Sequence, residues 1–197
     1  TLEGSNTALI IVDMQRAFLD KGAAIEIPAG RQIVGRINRI ANIVRSTGGI
    51  VIFLRYNVDI DVGLLRFFER ASYLSQDRPS PLESLRPGHV GFDFHPDLYI
   101  GEDDFVLDKW RYSAVLGSDL IKVLIRENVK NVIVVGVATD VCAGNTAECL
   151  MQEDFHVVMV WDATAALDRL EHEIFLARFF GLYGDVMPSD EVIDRIR

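Results

Sequence analysis

Cysteine, basic side chains and long apolar runs are all scarce in this sequence. Its 197 residues include two cysteines, Cys142 and Cys149. On one helix, at a rise of about 1.5 Å per residue, their separation in sequence places the Cα atoms about 10 Å apart, beyond the roughly 7 Å that a disulfide tolerates. We therefore expect both thiols to be reduced, as is usual in the cytoplasm, and we predict a cytoplasmic protein.

The absence of long apolar runs and of excess positive charge narrows the range of partners. No stretch reaches the roughly 18 apolar residues of a membrane-spanning helix, and the first residues, TLEGSNTALIIVD, lack the basic region and apolar core of a secretory signal. Acidic residues number 29 against 20 basic ones. Nucleic acids and anionic membranes attract positive patches, so we expect neither as a partner and predict a small-molecule ligand.

Two common ligand-binding motifs are also missing. No Gly-x-Gly-x-x-Gly follows the first predicted strand, which argues against a doubly wound nucleotide binder. The histidines show no metal-ligand spacing with cysteines or acidic residues; they are His89, His95, His156 and His172. We therefore predict no metal and no cofactor.

The apolar pattern predicts strands that alternate with helices. Short runs rich in β-branched residues predict strands at 8–12, 50–54, 105–107, 132–137, 155–161 and 185–187. Three- and four-residue apolar steps predict helices at 31–47, 118–128, 143–153 and 169–180, with Gly181 ending the last of these, a terminal helix after Ser189 and a weaker helix candidate at 64–74. This alternation implies right-handed crossovers and a parallel sheet covered on both faces, in a single domain over residues 1–197.

The stretch VIVVGVATDVCAGNTAECL, from Val132 to Leu150, is the first candidate for chemistry. Its β-branched start predicts a strand, and its second half is rich in helix formers, so Cys142 falls in the first turn of a helix directly after a strand. Orphan N–H groups and the positive end of the helix dipole favour a thiolate there, so we expect a lowered pKa for Cys142. Taken alone, however, Cys142 would more often be a buried structural residue.

Two further reactive side chains are predicted at the same edge of the sheet. Asp13 and Lys109, like Cys142, each stand at or just beyond the carboxyl end of a predicted strand, the edge that holds ligands in open α/β sheets. A carboxylate can accept the proton of a thiol, and an ammonium group can stabilise developing negative charge. Each residue alone fits a surface or turn position, and it is their joint placement that predicts a catalytic triad without histidine.

Three ordered motifs resemble those of the isochorismatase-like cysteine hydrolases. They are DMQRAF beginning at Asp13, KWRYSA beginning at Lys109 and GVATDVC ending at Cys142, and a later DATA at Asp162 also matches the family pattern. The resemblance spans nearly the whole chain. It implies a three-layer α/β/α fold, doubly wound around a six-stranded parallel sheet.

The resemblance also implies a mechanism. Asp13 would be the base, Lys109 the charge stabiliser and Cys142 the nucleophile that attacks an amide-like or ureido carbonyl. A cis peptide at Val137-Ala138 would let the N–H groups of Ala138 and Cys142 form an oxyanion hole. The family further implies a homodimer or homotetramer, with a neighbouring subunit's lid near the site.

Departures from the family pattern narrow the range of candidate substrates. Nicotinamidases of this family carry an Asp-x-His metal motif after the second strand, whereas residues 55–61 read RYNVDID, without histidine. Cys142 favours C–N hydrolysis, because family members that cleave the isochorismate vinyl ether can lack it. The KWRYSA motif looks most like the ureidoacrylate, carbamoyl and biuret branches. The alternatives are an isochorismatase-type vinyl-ether hydrolase and a catalytically silent small-molecule binding domain on the same scaffold.

Several residues are candidates for substrate contacts. Phe18, Tyr56 and Trp110 are candidates for aromatic walls around a planar amide, with core packing as the equal alternative. Val137 and Thr139, which flank Ala138, are further candidates. Arginine binds carboxylates bidentately, so a substrate carboxylate has six candidate partners: Arg55, Arg66, Arg70, Arg78, Arg86 and Arg111.

Overall fold

The computed structural model describes residues 2–23, 25–59 and 81–197. In this part of the chain, six parallel strands form one sheet in the order β3-β2-β1-β4-β5-β6. The strands are β1 (Thr7–Val12), β2 (Ile50–Tyr56), β3 (Phe105–Lys109), β4 (Asn131–Val137), β5 (His156–Ala165) and β6 (Asp185–Met187). The predicted six-stranded parallel sheet is confirmed, while the helix candidate at 64–74 lies outside the described residues.

The α-helices of the described residues cover both faces of the sheet. They are α1 (Arg16–Leu19), α2 (Gly30–Ser46), α3 (Leu120–Arg126), α4 (Gly144–Gln152), α5 (Arg169–Leu182) and α6 (Ser189–Arg195). The predicted end of α5 at Gly181 is wrong, because the helix continues to Leu182 and the N–H of Tyr183 bonds the Phe179 carbonyl over 2.8 Å. None of these helices combines the length and the apolar character needed to cross a membrane.

Strand β1 shows why the buried strands read as uninterrupted apolar runs. Leu9 and Ile11 pack in the cluster under α2 and α6, whereas Ala8, Ile10 and Val12 pack in the cluster under α3, α4 and α5. Successive side chains of a strand point to opposite faces, and here both faces are covered by helices. Every position from Thr7 to Val12 is therefore buried.

The sheet order places the ends of β1 and β4 at a topological switch point. Chain connections run from β1 towards β2 and β3 on one side, and from β4 towards β5 and β6 on the other. In doubly wound sheets the crevice beyond the carboxyl ends of these two strands is where ligands bind. Asp13 directly follows β1, and Cys142 lies in the turn that follows β4.

Candidate active site

Asp13 and Lys109 form a fully buried ion pair at the carboxyl edge of the sheet. The Nζ atom of Lys109 lies 2.8 Å from Oδ2 of Asp13, and both side chains have no exposed surface. Lys109 is the last residue of β3, so its side chain passes the end of β2 to reach Asp13. It also donates to the carbonyl of Arg111 over 3.0 Å and lies 4.3 Å from the ring centre of Tyr56.

The turn that carries Cys142 is wider than an α-helical turn. Residues Thr139–Ala143, hereafter the cysteine turn, are π-helical, and the carbonyl of Ala138 accepts hydrogen bonds from the N–H groups of Val141 (3.1 Å) and Ala143 (3.0 Å). Helix α4 begins only at Gly144, so Cys142 precedes it rather than lying in its first turn. The peptide bond between Val137 and Ala138 is cis.

Glycine at position 144 allows the cysteine turn to pack tightly against α5. A Cβ atom there would lie 2.2 Å from the ring of Phe175 and 2.5 Å from the carbonyl oxygen of Thr139. Both distances are far below van der Waals contact. The turn and the start of α4 therefore rest directly on α5.

Burial controls the protonation of the three reactive groups. Burial raises the pKa of the Cys142 thiol, and although the ammonium group of Lys109 opposes this rise, the carboxylate of Asp13 adds to it. The expectation of a lowered pKa from the helix N-terminus is therefore wrong. The cause is that Cys142 lies among apolar side chains and beside a carboxylate, where a negative sulfur is disfavoured.

Asp13 and Lys109 each shift the pKa of the other so as to favour its charged form. Burial raises the pKa of Asp13, and the nearby Lys109 lowers it only in part. Burial alone would lower the pKa of Lys109, but the negative charges that Asp13 and Cys142 can carry outweigh it and raise that pKa. The Asp13–Lys109 ion pair therefore lies beside a thiol whose pKa is raised.

Cys142 and Ala138 open on a cavity of about 530 Å³. The predicted wall residues Phe18 and Tyr56 line it, and so does Tyr112, whose ring centre lies 6.5 Å from that of Tyr56. Burial raises the pKa of Tyr112 to about 12, so it keeps its phenolic proton. The rest of the described lining is mostly aliphatic and comprises Ala23, Ile25, Glu26, Ile27, Leu82, Leu85, Val141 and Leu167.

Three of the predicted contact residues do not line this cavity. Trp110 lines a separate cavity of about 330 Å³, and its indole N–H donates to Oδ1 of Asp59 over 3.1 Å. Val137 is fully buried in the core under α2. The hydroxyl of Thr139 lies 2.8 Å from Nδ1 of His172.

The candidate arginines differ in whether they already form an ion pair. Arg55 pairs with Asp108 over 2.8 Å and stacks 4.2 Å from the ring centre of Phe92, and Arg86 pairs with Glu83 over 2.9 Å. Arg111 is exposed and forms no ion pair within the described residues. The remaining candidates, Arg66, Arg70 and Arg78, lie outside them. In the same part of the chain, no three His, Cys, Asp or Glu side chains are grouped as metal ligands.

Gln15 is a positioning residue that the sequence reasoning missed. Its amide nitrogen donates to the carbonyls of Tyr56 (3.1 Å) and Phe92 (3.0 Å), and its amide oxygen accepts from the N–H of Tyr56 (2.7 Å). These bonds tie the segment after β1 to the end of β2, and so hold the Tyr56 ring against Lys109. The available sign was a glutamine two residues beyond Asp13, just after an uninterrupted apolar strand.

Comparison with known proteins gives one consistent family. A sequence model of the Isochorismatase domain matches residues 7–191. The chain is 31% identical over 163 residues to a protein named probable inactive nicotinamidase from Arabidopsis thaliana, covering 82% of this chain and 81% of that one. It is 28% identical over 178 residues to a ureidoacrylate amidohydrolase from Rhizobium rhizogenes, covering 83% and 72%. Among solved structures, a cysteine hydrolase from Pseudomonas syringae pv. phaseolicola 1448A superposes with a TM-score of 0.86 at 28% identity, covering 98% of this chain and 92% of that one.

Proposed function

Because this chain belongs to the Isochorismatase domain family, we propose that it is a cysteine hydrolase that cleaves a C–N bond of a small amide or ureido (N-carbamoyl) compound. One observation carries the proposal. A thiol, a carboxylate and an ammonium group meet in one buried cluster, and the thiol borders a cavity large enough for a small substrate. The resemblance to a ureidoacrylate amidohydrolase supports the same class of reaction.

In the first half of the reaction, the thiol proton moves to Asp13 as the sulfur attacks the substrate carbonyl carbon. The C–S bond forms, and the carbonyl electron pair moves onto oxygen, where the N–H groups of Ala138 and Cys142 stabilise it. Asp13 then gives its proton to the leaving nitrogen, and the C–N bond breaks. Ammonia or an amine leaves, and a thioester remains on Cys142.

In the second half, water replaces the amine. Asp13, again a carboxylate, accepts a proton from the water as its oxygen attacks the thioester carbonyl. The C–S bond breaks, the acid product leaves, and the proton returns to the sulfur. Throughout the cycle Lys109 keeps its positive charge, which stabilises the carboxylate of Asp13 and the transient negative charge on sulfur.

The cavity wall favours a substrate whose reacting end carries no charge. Phe18, Tyr56 and Tyr112 offer aromatic surface for a planar amide or ureido group. Glu26 is the acidic residue of the described lining; its carboxylate accepts from the N–H of Gly22 and pairs with Arg31, and these contacts lower its pKa. The described lining is thus mostly apolar, with a carboxylate already paired with Arg31, and it suits an uncharged amide or ureido group.

A catalytically silent binding domain is the second candidate, favoured by the relative that is named a probable inactive nicotinamidase. The decisive experiment is ammonia release from ureido acids, biuret, maleamate and nicotinamide by the wild type and by Cys142→Ala. The variant should fold yet lose about 10³-fold or more of kcat, because the nucleophile is gone. It should also form no thioester adduct detectable by intact mass.

Cys149→Ser is the matched control. Cys149 lies in α4 and does not line the cavity, so this variant should keep wild-type turnover. Undiminished hydrolysis by Cys142→Ala would overturn the mechanism. Pyruvate release from isochorismate in place of ammonia release would identify the vinyl-ether alternative.

We further propose that the enzyme works in the cytoplasm as a homodimer or homotetramer on small molecules, without a nucleic acid or membrane partner. Both cysteines are free thiols, which suits a reducing compartment. The net charge of −9 disfavours polyanionic partners. Subcellular fractionation with an antibody against the native chain tests the location.

A further inference from the structure

His172 bridges the cysteine turn and strand β5. From its place in the first turn of α5, its Nδ1 atom lies 2.8 Å from the hydroxyl oxygen of Thr139. The same ring forms a hydrogen bond with the backbone of Trp161. A bond that favours the protonated imidazole is one to a carbonyl oxygen, which accepts a proton from the ring.

The contact with Thr139 joins a ring nitrogen to a hydroxyl group, and each of the two can donate or accept. In the tautomer that carries its proton on Nε2, Nδ1 accepts from the hydroxyl of Thr139. Burial lowers the pKa of His172, although Glu173 and Asp140 oppose this, so the ring is neutral near pH 7. A neutral ring can accept from Thr139 and donate to Trp161 at the same time.

Both partners of His172 lie where the backbone departs from regular structure. Thr139 is fully buried and opens the π-helical cysteine turn, three residues before Cys142. Trp161 lies where the pairing of β5 with β4 shifts, between the pairs Val134–Met159 and Gly136–Thr164. Irregular backbone has fewer repeating hydrogen bonds to hold it, so side-chain bridges decide its position.

We propose that His172 is a positioning residue for Cys142, which it holds in place through the hydroxyl of Thr139. The catalytic consequence rests on the proposed function, whereas the effect on the thiol does not. Displacement of a reacting group by about 1 Å can cost about 100-fold in rate, even when the altered residue never touches the substrate. Loss of the bridge is therefore expected to lower kcat rather than raise KM.

The experiment is a double-mutant cycle on Thr139 and His172. Thr139→Val keeps the shape of the side chain without its hydroxyl, and His172→Leu removes both ring nitrogens. Each should lower kcat about 10-fold to 100-fold, with KM changed less than about threefold. The double variant should be no slower than the slower single variant, because both changes break the same bond.

Conservative variants separate the hydrogen bond from simple packing. Thr139→Ser keeps the hydroxyl, and His172→Asn can place its amide oxygen near the position of Nδ1, so each should recover most of the lost kcat. His156→Asn is the matched control, because both ring nitrogens of His156 also contact neighbouring groups, here the side chains of Asn131 and Asp185, but at the amino end of β5. That variant should behave as the wild type.

Alkylation by iodoacetamide gives a readout that needs no substrate. Thr139→Val and His172→Leu should slow the modification of Cys142 by about threefold or more relative to Cys149, because the thiol moves away from the base that takes its proton. If the wild type hydrolyses none of the amides, the proposed function fails while this series still decides the role of His172. Unchanged or faster modification, additive losses in the double variant, or Ser and Asn variants as slow as Val and Leu would each overturn the proposal.

Discussion

At the scale of single residues, the protonation of Asp13 sets the expected pH dependence. The carboxylate form is the base, and burial raises the pKa of Asp13 above that of an ordinary aspartate. We expect kcat/KM to rise with pH through this pKa, with the acid limb above about 3.9, the value for an unperturbed Asp. The pKa of Lys109 is raised, so its charge should cause no fall below about pH 10.

The measurement is a pH profile of kcat/KM on a substrate that does not titrate. Asp108→Asn is the matched control, because Asp108 precedes Lys109 in sequence but pairs with Arg55 outside the buried cluster. Its acid limb should coincide with that of the wild type. An acid limb at or below about pH 4 in the wild type would contradict the role given to Asp13.

The sequence predicts a site residue when its position follows from the local pattern, and misses it when its position depends on tertiary packing. Asp13, Lys109 and Cys142 each lie at or just beyond the carboxyl end of a strand, so pattern and motif together predict them as site residues. Tyr112 and Gln15 were missed, because their contacts depend on how β2 and the segments beyond β1 and β3 pack. The predicted lowering of the Cys142 pKa was wrong for the same reason. A helix terminus contributes about 0.3–1 kcal/mol at exposed sites, and the effect of burial is larger.

At the scale of elements, the junction of β1 and β4 brings Asp13 and the cysteine turn together. Gly136 in β4 pairs with Val12 and has a φ of +105°. A Cβ atom there would lie 2.2 Å from the carbonyl oxygen of Val12. Glycine therefore permits the close approach of the two strands just before the site.

We expect Gly136→Ala to lower the free energy of unfolding by about 3 kcal/mol, from the strained φ and the clash with backbone. Gly35→Ala is the matched control, because Gly35 is exposed within α2 and a Cβ there would meet nothing within 4 Å. That change should stabilise the protein by about 0.5–1 kcal/mol, since alanine is the better helix former. Urea unfolding measures both, and a Gly136→Ala variant within about 0.5 kcal/mol of wild type would refute the close-approach argument.

Elements were predicted best where one periodicity ran without interruption. Strand β1 and helix α2 match their predicted spans to within a residue or so. The strand is buried on two faces and the helix along one stripe, and each kind of burial produces a recognisable apolar pattern in the sequence. The predicted end of the fifth strand at Trp161 is too early. The strand continues to Ala165 through a shift in its pairing register with β4. That shift depends on the partner strand, so the local sequence does not predict it.

At the scale of the whole molecule, the described part of this acidic chain includes an exposed apolar surface on and beside α5. On and beside α5, large apolar side chains expose about half of their surface or more: Trp161, Leu170, Ile174, Phe180 and Leu182. A groove of about 610 Å³ runs between Trp161 and Phe180. Exposed apolar patches rimmed by polar residues mark association sites in proteins, and we expect this surface to be one.

We expect the proposed homodimer or homotetramer to place a second copy of the chain on this surface. Phe180 is 66% exposed, so Phe180→Glu removes apolar contact and puts a charge into the interface without disturbing the core. We expect sedimentation velocity to give a dimer or tetramer for the wild type and a shift towards monomer for this variant. Ile125→Glu is the matched control, because Ile125 is equally exposed at 66% but lies on α3, away from α5. A monomeric wild type, or dissociation of both variants alike, would show that α5 does not hold the assembly together.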